Sequence, residues 1–197
     1  MDNKENYAQY MKLFLEENSK VNLISKNDEK FLWEKHMFDS LAFSKFYEKY
    51  CKTPKFELLD IGTGGGFPSV PIAIKYPEIE VTALDSIGKK IRAVETIGKG
   101  LGLKNLHPVC MRVENLDKKF DIVTSRAVSS LKNICEYALP KLKDNGYFVA
   151  YKSRKAPNEI EEAQKVLKKY RAKIIDIIEY ELPLDEKITR NLIIISK

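Results

Sequence analysis

The strongest constraint on the fold of this chain is an apolar strand that runs directly into a glycine-rich loop. Residues 56–61 read Phe-Glu-Leu-Leu-Asp-Ile, and the loop that follows carries glycine at positions 62, 64, 65 and 66. Glycine is needed there because the backbone must turn sharply and approach a ligand more closely than a Cβ atom permits, with a helix starting just beyond. The pattern therefore predicts the nucleotide-binding turn of an α/β domain.

From residue 56 onward, short apolar segments alternate with segments of helical length. We predict strands at 56–61, 80–85, 106–111, 120–125, 146–152, 173–182 and 191–196, and helices at 69–75, 88–101, 130–142 and 158–170. Strands separated by helices need crossover connections, so the seven-stranded sheet should be mostly parallel and covered on both faces. The last two strands are joined only by residues 183–187, which is too short for a helix, so they should form an antiparallel hairpin.

The first fifty or so residues have a different, helical pattern. Apolar side chains recur at helical spacing at Tyr7, Tyr10, Met11, Phe14 and Leu15, behind a cap at Asp2 or Asn3. A second helix is predicted after a cap and acidic first turn at 27–29, and residues 52–55 break the pattern. We expect a helical appendage over residues 1–54 and one compact domain over residues 55–197.

Composition restricts the class of protein. With 197 residues, of which 44% are hydrophobic, the chain suits one compact domain with a sizeable core. It has no apolar run near the roughly 20 residues of a membrane span, and its polar start lacks the apolar region of a signal peptide, so we expect a cytoplasmic protein. Three widely spaced cysteines, with only His36 and His107 as imidazole partners, predict neither a metal site nor a disulfide framework.

The charge balance points toward a polyanionic partner. The net charge is +6, but basic residues are scattered among acidic ones, so the fold would have to assemble any binding surface. Basic residues that fall near predicted strand or helix ends are candidates for phosphate contacts, with solvated surface charges as the alternative. These are Lys89, Lys90, Arg92, Arg112, Lys152, Arg154 and Lys155.

The spacing of the loop departs from that of dinucleotide-binding proteins. Phe67 stands where their fingerprint has its third glycine. Asp85, at the end of the second strand, lies where such folds bind ribose hydroxyls, and an ionised carboxylate suits the two O–H donors of a diol. The alternative is that Asp85 only caps the helix that starts near Gly88.

Several motifs together resemble those of the RsmG (GidB) methyltransferases. They are Val21-Asn22-Leu23, the box from His36 to Leu41, the loop from Leu59 to Pro68, the segment from Leu84 to Lys90, Arg112-Val113-Glu114 and Ser125-Arg126-Ala127. The resemblance runs from Asn22 to about Lys152. It implies a Rossmann-like fold that uses S-adenosylmethionine and methylates N7 of a guanine in small-subunit (16S) ribosomal RNA.

The resemblance also implies roles for individual residues. Those that it implies as cofactor contacts are Gly62, Phe67, Val113, Glu114 and Arg126, with a solvated acid as the alternative for Glu114. Gly64 in the same loop and Asp85, by its position, complete the predicted cofactor site. Arg126 is in addition the candidate for positioning the substrate, with a structural ion pair as the alternative. His36, Lys152 and Arg154 are candidates for RNA contact. For His36, which shares a helix face with Asp39 and Ser40, the alternative is docking of the appendage.

The chemistry of the target is consistent with this set of residues. N7 of guanine has a lone pair and no proton, so direct displacement needs neither a general base nor a covalent intermediate, and alignment supplies most of the catalysis. The expected partner is the RNA or an assembling small subunit, bound by a monomer. A small-molecule methyltransferase and a non-catalytic regulator of the NAD type remain as alternatives.

Overall fold

The structure is a computed structural model that describes residues 4–126, 128–154 and 156–197. The predicted cap at Asp2 or Asn3 and the candidate phosphate contact Lys155 therefore lie outside the described residues. No described helix combines the length and the apolar character that crossing a lipid bilayer requires.

The chain opens with helices that pack onto the later sheet. A short 3-10 helix (Lys4–Tyr7) leads into α1 (Ala8–Val21), which buries Tyr10 and Phe14 as predicted. Leu15, which was expected on the same face, is instead exposed. The buried face of α1 includes Glu17 and Asn18, which lie three and four residues after Phe14. Leu15 lies beside this face and is directed toward solvent.

The second predicted helix is divided into several short pieces. They are α2 (Lys26–Glu29), a π-helical turn (Leu32–Met37), α3 (Phe38–Leu41) and α4 (Phe43–Tyr50). The predicted cap at residue 27 is wrong, because Ser25 performs this function: its Oγ accepts a hydrogen bond from Asp28 N at 3.2 Å. Residues 51–56 then break the helical structure before the first strand, as predicted.

The sheet has seven strands, as predicted. They are β1 (Glu57–Ile61), β2 (Glu80–Asp85), β3 (Leu106–Cys110), β4 (Phe120–Arg126), β5 (Leu142–Ser153), β6 (Lys173–Glu181) and β7 (Thr189–Ser196). Their spatial order is β3-β2-β1-β4-β5-β7-β6, with β1 to β5 parallel and β7 antiparallel to both of its neighbours. The order reverses between β1 and β4, and open α/β sheets bind ligands in the crevice at such a point.

Of the seven strands, β5 differs most from its predicted bounds, because it begins four residues earlier than the sequence pattern indicated. Its register with β4 shifts between Phe120, which pairs with Leu142, and Ile122, which pairs with Tyr147. The residues between these two pairs include Asn145 and Gly146 and carry no apolar alternation. The hydrophobic pattern consequently identified only the second part of the strand.

Helices cover both faces of the sheet. The remaining ones are α5 (Ser69–Lys75), α6 (Gly88–Gly100), α7 (Leu131–Ala138) and α8 (Ala156–Lys169). One buried cluster joins the N-terminal helices, α5 and α6 to one face, and a second joins α7 and α8 to the other. The N-terminal helices therefore share a hydrophobic core with the sheet, while the division at residue 54 stays a prediction.

Candidate active site

The glycine loop after β1 forms the floor of a cleft at the carboxyl ends of the strands. The backbone N–H groups of Gly62 and Thr63 both donate to the carbonyl oxygen of Leu84, at 2.8 and 2.9 Å, which ties the loop to β2. Gly62 has a φ of +72°, and a Cβ on it would lie 2.5 Å from Val128 Cγ2. The loop therefore has no room for a side chain at this position, because Val128 occupies the space beside it, and the positive φ also favours glycine.

Asp85 joins the loop to the start of α6. Its Oδ2 accepts from the N–H of Gly64 at 3.0 Å, and its Oδ1 accepts from the N–H of Ile87 at 2.9 Å. Asp85 also lines the cleft, so capping and ligand binding are compatible. Each carboxylate oxygen has a further lone pair that can accept from a hydroxyl group.

The cleft is a cavity of about 690 Å³, large enough for a nucleoside-sized cofactor. All seven residues that were predicted to bind the cofactor line it: Gly62, Gly64, Phe67, Asp85, Val113, Glu114 and Arg126. Val113 and Glu114 belong to a 3-10 turn after β3, where Val113 is buried and Glu114 is exposed. The structure therefore brings together residues that are as much as 64 positions apart in the sequence.

Apolar lining residues were missed by the sequence reasoning. Ile87, Met111, Val128 and Tyr137 line the cleft, and these residues are 36–46% exposed. They account for four of the six large apolar side chains that are exposed among the described residues. A ligand that covers them would gain free energy from the hydrophobic effect. Nothing in the local sequence pattern distinguishes them from buried apolar residues.

Arg126, at the end of β4, is held by the N-terminal helices. Its Nη1 donates to Asp39 Oδ2 at 2.9 Å, and Nη2 lies 3.1 Å from His36 Nδ1. Its guanidinium group also lies 5.1 Å from the centroid of the Phe67 ring. Arg126 therefore makes the structural ion pair that was one alternative, and it also lines the cleft.

The protonation of His36 follows from this contact. Arginine has only donors, so the Nδ1 atom that faces it must be the unprotonated acceptor, and the ring proton belongs on Nε2. Burial, together with the positive charge of Arg126, lowers the pKa of His36 to about 4, so the ring is neutral near pH 7. Nε2 is buried and has no hydrogen-bond partner among the described residues.

The box that contains His36 docks onto the sheet through several hydrogen bonds. Tyr180 OH on β6 donates to Asp39 Oδ1 at 2.7 Å, and Tyr151 OH on β5 donates to the carbonyl oxygen of Ser40 at 3.0 Å. Asp39 and Ser40 are both buried. The box thus connects the N-terminal helices to three strands, including β4 through Arg126, and the docking role predicted for it is part of the observed geometry.

A second cavity, of about 610 Å³, adjoins the first. Both cavities are lined by His36, Arg126 and Val128, which form the boundary between them. Three ion pairs line the second cavity: Asp28 with Lys35, Asp39 with Arg126, and Glu159 with Lys152.

Of the three candidates for RNA contact, two line the second cavity. They are His36 and Lys152, but the Lys152 side chain is only 9% exposed and its Nζ bonds Glu159 and the Ser129 carbonyl. Arg154 is exposed in the turn after β5 and lies outside both cavities. The three residues therefore do not form one surface in this structure.

A buried carboxylate lies beneath the glycine loop. Asp60, the residue two before Gly62, is fully buried and its Oδ1 accepts from Thr124 Oγ1 at 3.0 Å. Burial raises the pKa of Asp60 to about 6, while hydrogen bonds from Thr63 and Thr124 and the charge of Arg126 oppose the rise. The sequence indicated the carboxylate but not its burial.

The fold and this site together define an S-adenosylmethionine-dependent methyltransferase. A crystal structure of such an enzyme from Aquifex aeolicus superposes with a TM-score of 0.61 at 18% identity, covering 89% of this chain and 97% of that one. The model of the GidB family, described as rRNA small subunit methyltransferase G, matches residues 3–186. The chain belongs to this family, with S-adenosylmethionine as methyl donor and small-subunit ribosomal RNA as substrate.

Two curated relatives illustrate the similarity. The ribosomal RNA small subunit methyltransferase G of Streptococcus equi subsp. zooepidemicus is 38% identical over 186 residues, covering 91% of this chain and 78% of the relative. The protein of the same name from Clostridium botulinum is 37% identical over 200 residues, covering 98% and 82%. The resemblance identified from the motifs is thereby confirmed.

Proposed function

We propose that this chain methylates N7 of a guanine in small-subunit ribosomal RNA by direct displacement, without a covalent intermediate. The observation that carries the proposal is the pair of adjoining cavities that share His36, Arg126 and Val128 as their boundary. One cavity has the features of a cofactor site, and the other is of similar size and opens beside it. Family membership supports the choice of RNA as the substrate.

The first cavity fits S-adenosylmethionine. Gly64 leaves open space beside its backbone, because a Cβ there would have only the Gly62 carbonyl oxygen, at 3.9 Å, within 4 Å, and Asp85 can accept from ribose hydroxyls. The apolar side chains of Ile87 and Met111 offer contact to an adenine ring. When bound, the cofactor supplies an electrophilic methyl group on a positively charged sulfur.

The second cavity is our candidate for the target nucleotide. The charges of its three ion pairs cancel, and Arg190 on β7 is an additional cation in its lining. Within the described part of the chain, the Arg190 side chain makes no ion pair, and its buried Nε has no hydrogen-bond partner. A guanidinium group in this state suits an acceptor oxygen of a nucleotide, and a base would have to leave its stack to reach it.

The residues at the boundary need only to orient the reactants. N7 of guanine has no proton to lose, and the neutral His36 ring, whose Nδ1 faces Arg126, is not required to act as a base. Arg126 is fixed by Asp39 and can present its remaining donors to the substrate. Accurate alignment of two reactants can contribute about 7 to 11 kcal/mol.

Further basic side chains could contact the RNA backbone. Lys90 and Arg112 line the first cavity, whereas Lys89, Arg92 and Arg154 lie outside both cavities. If they do, affinity for the subunit falls steeply as salt rises, and a flat salt dependence would contradict their involvement. We also propose that the protein acts in the cytoplasm and as a monomer. The division into an N-terminal appendage and a main domain at residue 54 is part of the same proposal.

The test uses S-adenosylmethionine with a radiolabelled methyl group. Assembled small subunits, naked small-subunit RNA and a mixture of small metabolites are each incubated with the protein, and N7-methylguanine is located by chemical strand cleavage. We expect label at N7 of one guanine. Label at another atom of the RNA would refute the N7 assignment, and label only in metabolites would refute the RNA substrate.

A further inference from the structure

Val128, one of the three residues at the boundary between the two cavities, belongs to the short segment 128–130, which lies between β4 and α7. Val128 lines both cavities, and its Cγ2 occupies the space directly beside Gly62. Its side chain is 46% exposed, so the cavities leave it largely uncovered. The position of this segment therefore determines how closely a methyl donor and an acceptor base can approach one another.

Two side chains from distant elements hold this segment. Lys152, near the end of β5, donates from Nζ to the carbonyl oxygen of Ser129 and to Glu159 Oε2, the latter at 2.7 Å. The same Glu159 oxygen, in the first turn of α8, accepts from the backbone N–H of Leu131 at 2.6 Å. The ion pair thus bonds the chain on both sides of Ser130.

The burial of this pair argues against a surface role. The side chains of Lys152 and Glu159 are 9% and 25% exposed, and a lysine so far from water needs its partners to remain charged. Since the Lys152 ammonium already bonds a carboxylate and a carbonyl, it has little capacity left for an RNA phosphate.

We propose that Lys152 and Glu159 are positioning residues that fix segment 128–130, and with it the wall at which donor and acceptor meet. This inference rests on the proposed function, because it concerns the alignment of the reaction. Without the pair, the segment loses hydrogen bonds on both sides of Ser130 and can shift. A displacement of about 1 Å in a reacting geometry can reduce a rate by about 100-fold.

The experiment compares Lys152→Met, Lys152→Arg, Glu159→Gln and the double variant Lys152→Met/Glu159→Gln. We expect kcat on small subunits to fall at least tenfold in Lys152→Met. The Kd for S-adenosylmethionine, measured by calorimetry, should change by a smaller factor than kcat, because Val128 is the only residue of the segment that lines the cofactor cavity, and the glycine loop and Asp85 are not substituted. Lys152→Arg should recover much of kcat, and the double variant should be no slower than the slower single variant.

A matched control is an exposed ion pair that also involves α8. Lys169 on α8 pairs with Glu136 on α7 at 2.7 Å, but both side chains are exposed. Lys169→Met should leave kcat and Kd unchanged. Thermal unfolding of every variant, with assays well below the lowest Tm, separates loss of alignment from loss of fold. If Lys152→Met does not fold, Lys152→Arg and Glu159→Gln decide the matter by their kcat values.

Three results would overturn the inference. The first is an unchanged kcat in Lys152→Met. The second is a raised KM for subunits with an unchanged kcat, which is expected of an RNA contact. The third is a kcat of Lys152→Arg that is no higher than that of Lys152→Met. If the parent protein labels no RNA, the proposed function itself fails. If the parent protein is active and Lys152→Met has the same kcat, only the positioning role fails.

Discussion

Replacement of Asp39 tests whether the buried pair with Arg126 fixes the N-terminal helices to the sheet. The Asp39 and Arg126 side chains are 5% and 14% exposed, and the carboxylate also accepts from Tyr180. Asp39→Asn keeps an acceptor for Tyr180 but removes the charge, which leaves the guanidinium uncompensated. Removing one partner of a buried pair costs about 3 to 5 kcal/mol, so we expect a loss of about 3 kcal/mol in the free energy of unfolding.

The loss is measured by urea denaturation, with Lys49→Met as the control. Lys49 pairs with Asp176 and also connects an N-terminal helix to the sheet, but its side chain is 59% exposed. We expect a much smaller loss from this control than from Asp39→Asn, because water screens an exposed ion pair. The double variant Asp39→Asn/Arg126→Met should be more stable than Asp39→Asn, because it removes the unpaired charge. A loss below about 1 kcal/mol in Asp39→Asn would refute the reasoning.

Three further predictions concern the cleft. Gly62→Ala should weaken S-adenosylmethionine binding, measured by calorimetry, at least tenfold. Gly102 has a similar positive φ but open space around it, so Gly102→Ala should leave the affinity unchanged. Equal affinities in the two variants would show that crowding at Gly62 is unimportant. Tyr137→Ala should weaken the same binding about tenfold, and Ile177→Ala, an equally exposed apolar residue outside the cleft, should leave it unchanged. Because the folded-state pKa of Asp60 is raised to about 6, the protonated carboxyl is favoured in the folded state, and its contribution to stability declines as pH rises from about 4 to 7. Relative to Asp60→Asn, the parent protein should therefore lose up to about 3 kcal/mol over that range in urea titrations, and a constant difference would contradict the buried ionisation.

Much of the fold could be predicted because its signals are local. The alternation of apolar residues identified β2 and α5 with the observed bounds, and the short link between the last two strands predicted their antiparallel pairing. The helical segments before residue 50 were less predictable. Ser25, rather than residue 27, caps α2, and a π-helical turn that buries Leu32 and Met37 follows. Pieces of four to six residues are too short for intrinsic helix propensity to fix their bounds.

The candidate site could be predicted only in part. Residues that belong to motifs, such as Gly62, Asp85 and Glu114, line the cleft where the resemblance placed them. The Lys152 ammonium, by contrast, was a candidate for RNA contact and is bonded within the protein. Its partner Glu159 lies on the next helix, and nothing in their spacing predicts that they meet across the start of α7.

The sequence by itself determined the class of fold and the candidate residues that line the cleft after β1. Hydrophobic periodicity and a glycine-rich loop are properties of neighbouring residues, and backbone geometry turns them directly into strands, helices and a turn. Only the tertiary structure decided which charges neutralise one another. Arg126 pairs with Asp39, which is 87 positions away in the sequence, and Lys152 and Glu159 form hydrogen bonds to residues 129 and 131. Ion pairing depends on distance and burial in space, which the order of residues does not specify.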